Sequence, residues 1–133
     1  MPTTTTPTLE LSLPPEPESV RRMRRALGQG GLSPDIDHTV TLLSSELVTN
    51  AIRHAAQHGP IRVEATLVSD FARVAVIDSG AGFDPEVRHD ARGYGLRLVE
   101  KLASNWGVEA DGDGGGTRVW FEVDRRRRRF QRD

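Results

Sequence analysis

The stretch ELVTNAIRHA, residues 46–55, carries the strongest indication of both a fold and a site. Its apolar residues have the spacing of an amphipathic helix, yet it also contains Thr49 and Asn50. The side chains of these two residues form hydrogen bonds that compete with a helical backbone, and a helix that only packs against a core does not need them. Asn50 is therefore either a tolerated surface residue or a ligand held at some cost in helix stability.

The polar residues of this helix follow a regular pattern. Glu46, Asn50 and His54 are spaced four apart, so they lie on one stripe beside the apolar stripe that faces the core. An Asn carbonyl oxygen suits a Mg²⁺ whose other ligands are waters and phosphate oxygens. Glu46 can accept a proton from a hydroxyl or a water directed at a phosphate. Taken alone, however, the stripe is more typical of exposed helix positions than of a site.

Hydrophobic periodicity along the rest of the chain predicts the element order β-α-α-β-β-α-β-β. The expected strands and helices fall within 9–13, 15–31, 34–58, 60–68, 71–80, 93–105, 106–110 and 117–123. This proportion of elements favours an α+β two-layer sandwich with about three helices on one face of a sheet. Strands joined by short turns are expected to be antiparallel, and the connection through the third helix is expected to be parallel, so the prediction is a mixed β-sheet.

Length and composition predict one soluble domain. The chain has 133 residues, 36% of them hydrophobic and 28% charged, no cysteine, and no apolar run as long as a membrane helix. The amino terminus does not resemble a secretory signal, so a cytoplasmic location is expected. We expect a disordered segment at 1–8, the folded domain at 9–123, and a disordered Arg-rich tail at 124–133.

The Arg-rich tail is the one strong charge block. Residues 124–133 contain six Arg and two Asp, a net charge of +4 within a chain whose total is −1. A solvated terminus is the simpler interpretation, and contact with a nucleic acid or another acidic surface is the alternative. Direct nucleic-acid binding is not expected.

Two further segments have the composition of a nucleotide site. Asp78 ends an apolar strand and is followed by Gly80 and Gly82, and a carboxylate there can accept a hydrogen bond from the exocyclic amine of adenine. Residues 83–92 are polar and long enough for a lid. Gly93 and Gly95 stand where a helix begins, and free backbone N–H groups at a helix start bind phosphates. Each segment by itself is equally consistent with an ordinary loop.

Together these segments resemble the sequence boxes of the GHKL ATPase superfamily. The matching stretches are SELVTNAIRHA, VIDSGAGF, GYGLRLVEKLASNWG and GGGTRVWFEV, which occur in the superfamily's order. Within that superfamily the chain looks most similar to the anti-sigma-factor serine/threonine kinases of the RsbW type from actinobacteria. The resemblance covers about residues 9–123 and implies a histidine-kinase-like ATPase fold.

The resemblance also implies roles for particular residues, with ATP or ADP and Mg²⁺ as cofactors. Asn50 becomes the Mg²⁺ ligand, Glu46 the candidate base, and Asp78 the acceptor for adenine, with Thr117 beside it. The remaining nucleotide-binding positions are Gly80, Gly82, Arg92, Gly93, Tyr94, Gly95 and Leu96. The implied activity is phosphorylation of an anti-sigma-factor antagonist on Ser or Thr, together with sequestration of a sigma factor by a homodimer.

Three alternatives stand beside this interpretation. His54 and His58 have the i, i+4 spacing of metal ligands, but the sequence offers no convincing third ligand. A complete sensor histidine kinase would need a phosphoacceptor His on a separate pair of long helices, whereas His38 lies inside the second predicted helix. The third alternative is a partner-switching module that binds ATP or ADP and sequesters its partner without transferring phosphate.

Overall fold

The structure is a computed structural model that describes residues 8–55, 59–78, 96–111 and 116–126. Its helices and strands follow one another in the predicted order. They are β1 (Leu9–Leu13), α1 (Glu18–Gly28), α2 (Pro34–Ala55), β2 (Ile61–Val68), β3 (Phe71–Asp78), α3 (96–102), β4 (Asn105–Asp111) and β5 (Gly116–Asp124). Within these ranges no helix is both long and apolar enough to cross a membrane.

The five strands form one sheet in the order β1-β2-β3-β5-β4. All four pairings between these strands are antiparallel, so the prediction of a mixed sheet is wrong for the described strands. The connection through α3 does make β3 and β4 run in the same direction, as expected. However, β5 lies between them and is antiparallel to both, so the two parallel strands never pair.

The two faces of the sheet differ because successive side chains of a strand point to opposite sides. Every second residue of β2 is buried, and the residues between them are exposed or half-buried. The buried residues of β2 join one apolar core with Met23 of α1, Val48 of α2 and Val99 of α3. The three helices α1, α2 and α3 of the described residues therefore cover the same face, which confirms the predicted two-layer architecture. The opposite side is called the outer face below.

The start of α2 is fixed to the end of the sheet where β2 turns into β3. The backbone N–H of Ser33 donates to the carbonyl of Ser69 at 2.7 Å. Arg125, which follows β5, donates its backbone N–H to the carbonyl of Asp70 at 3.0 Å, and its Nε to the carboxylate of Asp35 at 2.8 Å. Arg125, which the sequence assigns to the tail, thus contacts the body of the domain.

Candidate functional site

Asp78, the carboxylate predicted to recognise a purine, ends β3 and pairs with Thr117 of β5. Both side chains point towards the helices, since they are in phase with the buried Val76 and Phe121 on the same strands. Asp78 is 6% exposed and Thr117 is 2% exposed. Among the described residues, Thr117 Oγ1 has no hydrogen-bond partner. Buried hydroxyls are usually paired with protein or water, so this atom is a candidate position for a hydrogen bond to a ligand or a water.

Helix α2 brings Glu46 and Asn50 towards the same end of the sheet. It packs against both β3 and β5, and it begins at the end of these strands that lies away from Asp78 and Thr117. At 1.5 Å per residue, Asn50 lies roughly 24 Å along the helix from Pro34. Asp78 is the last residue of β3, an eight-residue strand that is roughly 25 Å long. Asn50 thus lies in the last part of α2 and Asp78 at the end of β3, and Glu46 lies one helical turn before Asn50.

The exposure of α2 agrees with a polar stripe at the edge of the core. Glu46 and Asn50 are both half-buried, whereas Leu43, Leu47 and Ala51 on the neighbouring stripe are buried. Side chains at such an edge can reach a ligand without entering the core. These positions make α2 the candidate wall of the site and the paired ends of β3 and β5 its candidate floor.

Several residues predicted for the site lie outside the described residues. These are Gly80, Gly82, Arg92, Gly93, Tyr94 and Gly95, together with the side chain of His54 and with His58. Leu96 is the first described residue of α3, where it is half-buried and packs against the core. His38 is an exposed residue in the first half of α2. Within the described ranges, no group of three or more His, Asp or Glu side chains is arranged to hold a metal ion.

A charged cluster that the sequence did not indicate lies directly behind the floor of this site. Arg118 follows Thr117, points to the outer face, and contacts the carboxylate of Glu64 on β2 at 2.7 Å. Arg62 contacts the same carboxylate at 3.5 Å. Strand alternation would place these side chains on one face, but only the strand order brings residues 64 and 118 together.

A second outer-face cluster lies on the same strands, farther from Asp78. Arg73 of β3 contacts the carboxylate of Glu122 on β5 at 2.6 Å, and its guanidinium lies 4.4 Å from the ring centroid of Trp120. The indole of Trp120 packs closely against Gly107, its partner on β4. Like the charged cluster behind Asp78, this cluster contains an Arg–Glu pair that joins two strands on the outer face.

Comparison with known proteins assigns the family. Residues 13–123 match the family model described as the histidine kinase-like ATPase domain. The chain therefore belongs to the family of histidine kinase-like ATPase domains. It is also 30% identical over 122 residues to the anti-sigma F factor of Clostridium beijerinckii, a match that covers 78% of this chain and 83% of the relative.

Solved structures agree on the fold. The crystal structure of full-length ShkA in complex with AMPPNP is similar with a TM-score of 0.55 and 22% identity, covering 84% of this chain. The chain spans 30% of that protein. The NMR structure of the histidine kinase domain of the E. coli osmosensor EnvZ is similar with a TM-score of 0.50 and 17% identity, covering 92% of both chains. At these identities the similarity concerns the fold alone.

Proposed function

We propose that this chain is an ATP-binding anti-sigma factor and a serine/threonine protein kinase. In this proposal it sequesters a sigma factor and phosphorylates an antagonist protein, as a cytoplasmic homodimer. Membership of the ATPase family supports a nucleotide site, and the name of the Clostridium beijerinckii relative supports the anti-sigma role. The observation that carries the proposal is the buried Asp78–Thr117 pair, whose hydroxyl has no hydrogen-bond partner among the described residues.

The pair of buried residues fits one edge of an adenine ring. The Asp78 carboxylate accepts a hydrogen bond from the exocyclic amine, and Thr117 Oγ1 gains the partner that it lacks within the described residues. Asn50 supplies an amide oxygen to the Mg²⁺ that accompanies the phosphates. The phosphates themselves are assigned, on sequence grounds, to Arg92, Gly93, Tyr94, Gly95 and Leu96, and the platform for the base to Gly80 and Gly82.

Glu46 is the proposed base for phosphoryl transfer. It takes the proton of a Ser or Thr hydroxyl while that oxygen attacks the γ-phosphorus and ADP leaves with the electrons of the broken bond. Since phosphoryl transfer depends mostly on positioning and charge stabilisation, loss of Glu46 is expected to abolish transfer and leave ATP binding intact. Its half-buried position, one turn from Asn50, is consistent with that role.

The proposal is tested in two stages. Calorimetry with ATP and Mg²⁺ first measures whether the purified chain binds the nucleotide. Proteins from an extract of the source cells that bind in the presence of ATP or ADP are then identified, purified and incubated with the chain and γ-labelled ATP. Label on a Ser or Thr of one bound protein, together with a sigma factor among the others, is the expected result.

Variants of α2 separate a kinase from a module that only binds nucleotide. Glu46→Gln is expected to bind ATP as the unmodified chain does and to transfer no label. Asp37→Asn, a half-buried acidic residue in the first turn of the same helix, is the matched control and is expected to transfer normally. Transfer by the Glu46 variant would remove that residue from the mechanism. Binding of ATP and a sigma factor without any transfer by the unmodified chain would favour the non-catalytic module.

A further inference from the structure

Ile77 is buried although its side chain lies on the outer face, which no described helix covers. It immediately precedes Asp78 on β3 and is only 2% exposed. Its direct neighbours across the sheet are Arg62 on β2 and Arg118 on β5. The long aliphatic parts of arginine side chains cover apolar surface in this way while their charged ends stay in contact with water.

Glu64 holds the ends of both arginines. Its carboxylate is 2.7 Å from Arg118 and 3.5 Å from Arg62. Glu64 lies on β2 and Arg118 on β5, so the contact between them passes over the intervening strand β3. Strands two positions apart are separated by roughly 9.5 Å, a gap that only long side chains can close. The Glu64–Arg118 pair therefore joins β2 to β5 across β3, from the level of Ala75, which pairs with Glu64, to that of Ile77, which pairs with Arg118.

This level is also that of the proposed purine site. Asp78 and Thr117 are the immediate chain neighbours of Ile77 and Arg118, and they point to the opposite face. Because the carboxylate and the hydroxyl come from different strands, any shift of β3 relative to β5 changes the distance between them. Fixing both strands from behind keeps the two groups in place before the ligand arrives, which reduces the cost of ordering them on binding.

We propose that Glu64 and Arg118 are positioning residues for purine recognition, a role that rests on the proposed function. The Glu64–Arg118 pair holds the ends of β3 and β5 in the register that places Asp78 and Thr117 together. Loss of the Glu64 charge releases Arg118, for which Glu109, its partner on β4, is the nearest alternative carboxylate by register. The guanidinium then moves away from β3 and uncovers Ile77.

Affinity for the purine provides the main test. Glu64→Gln and Arg118→Met both remove the ion pair; the first keeps the length of the side chain, and the second keeps most of its apolar stem. We expect each to weaken binding of ATP, ADP and adenosine by the same factor, roughly three- to tenfold, since the three ligands share only the nucleoside. Calorimetry measures the nucleotides, and an NMR titration measures adenosine. Arg118→Lys, which keeps the charge, is expected to recover part of the loss.

The Arg73–Glu122 pair supplies a matched control on the same face. It also joins two strands, at 2.6 Å, and both pairs are partly exposed. Glu122→Gln is expected to lower the free energy of unfolding about as much as Glu64→Gln does, without changing affinity for any of the three ligands. Amide hydrogen exchange without ligand is expected to become faster at Asp78 and Thr117 in the Glu64 variant only.

The outcomes separate this inference from the proposed function. If the unmodified chain binds none of the three ligands, the proposed function fails and the positioning role fails with it. If the unmodified chain binds them, equal losses in the Glu64 and Glu122 variants would overturn the positioning role alone. A Glu64 variant that is less stable but binds the ligands normally would also overturn the positioning role. The same holds if Arg118→Lys binds the ligands as weakly as Arg118→Met does.

Discussion

Asp78 and Thr117 are paired across β3 and β5 on the side of the sheet that faces the helices, and both side chains are buried. A carboxylate at the end of a strand thus lies next to a hydroxyl that makes no hydrogen bond within the described part of the chain. One group accepts hydrogen bonds, and the other both donates and accepts. An adenine ring offers a donor amine beside an acceptor nitrogen, so the chemistry of the pair matches that edge.

Replacing Asp78 with Asn is expected to abolish useful affinity for adenine nucleotides. The amide replaces one acceptor oxygen of the carboxylate with an NH₂ donor and removes the negative charge, and a buried donor that faces the exocyclic amine weakens binding about 100-fold. Calorimetry with ATP and Mg²⁺ measures the change. Asp70→Asn, at the turn before the opposite end of β3, is the control and is expected to bind normally. Normal binding by the Asp78 variant would mean that the purine is recognised elsewhere.

Replacing Thr117 with Val is expected to move stability and affinity in opposite directions. Valine keeps the shape of threonine and suits a strand, and removal of a buried, unpaired hydroxyl should raise the free energy of unfolding by about 1 kcal/mol. Affinity for ATP should fall about tenfold, because the hydroxyl is then missing from the bound state. Urea unfolding measures the first quantity and calorimetry the second. A variant that is destabilised without its ligand would show that Oγ1 is already paired in the free protein.

Most of the fold could be predicted because its elements carry strong local periodicity. The alternating leucines of β1 and the helical spacing in α2 specify both the type of element and the face that it buries. The sheet order could not be predicted in the same way, since periodicity defines faces and not neighbours. The last strand, β5, inserts between β3 and β4, and this position depends on packing between distant segments. Because β5 separates the two parallel strands, all of the pairings between the described strands are antiparallel.

The candidate site shows the same division. Asn50 and Asp78 stood out because a polar residue interrupts a helix pattern and a carboxylate ends an apolar strand. The Glu64–Arg118 pair gave no such signal, because its members are 54 residues apart and look like ordinary residues of alternating strands. Contacts between side chains on different strands depend on register, and one residue of slip moves a side chain to the other face.

Two neighbouring serines of α2 should respond to alanine with opposite signs. Ser44 is fully buried, and its Oγ has no hydrogen-bond partner among the described residues, so Ser44→Ala is expected to raise the free energy of unfolding by about 1 kcal/mol. Ser45 Oγ accepts from Arg24 Nε at 2.9 Å and donates to the carbonyl of Thr41 at 2.7 Å. Ser45→Ala is therefore expected to lower the free energy of unfolding by about 1 kcal/mol, because it removes the hydrogen bond between α1 and α2.

Both serine variants are compared by urea unfolding under the same conditions. They share a helix, a residue type and a substitution, so any difference between them reports on the hydrogen bonds of the side chain. Destabilisation by Ser44→Ala would mean that a buried water pairs with the hydroxyl. A neutral Ser45→Ala would mean that the contact with Arg24 contributes nothing measurable.

Gly107 is expected to be intolerant of any side chain, because the indole of Trp120 occupies the space where a Cβ would stand. A Cβ built there would lie 2.8 to 2.9 Å from three atoms of the ring, so the ring must move. Movement of the indole disturbs its contact with Arg73 on the outer face. Overpacking of this kind lowers the free energy of unfolding by about 1 to 3 kcal/mol. Gly28→Ala is the control, since nothing lies within 4 Å of a Cβ at the end of α1. Urea unfolding should show a loss for Gly107→Ala and no loss for Gly28→Ala, and equal stability of the two variants would mean that Trp120 has another low-energy position.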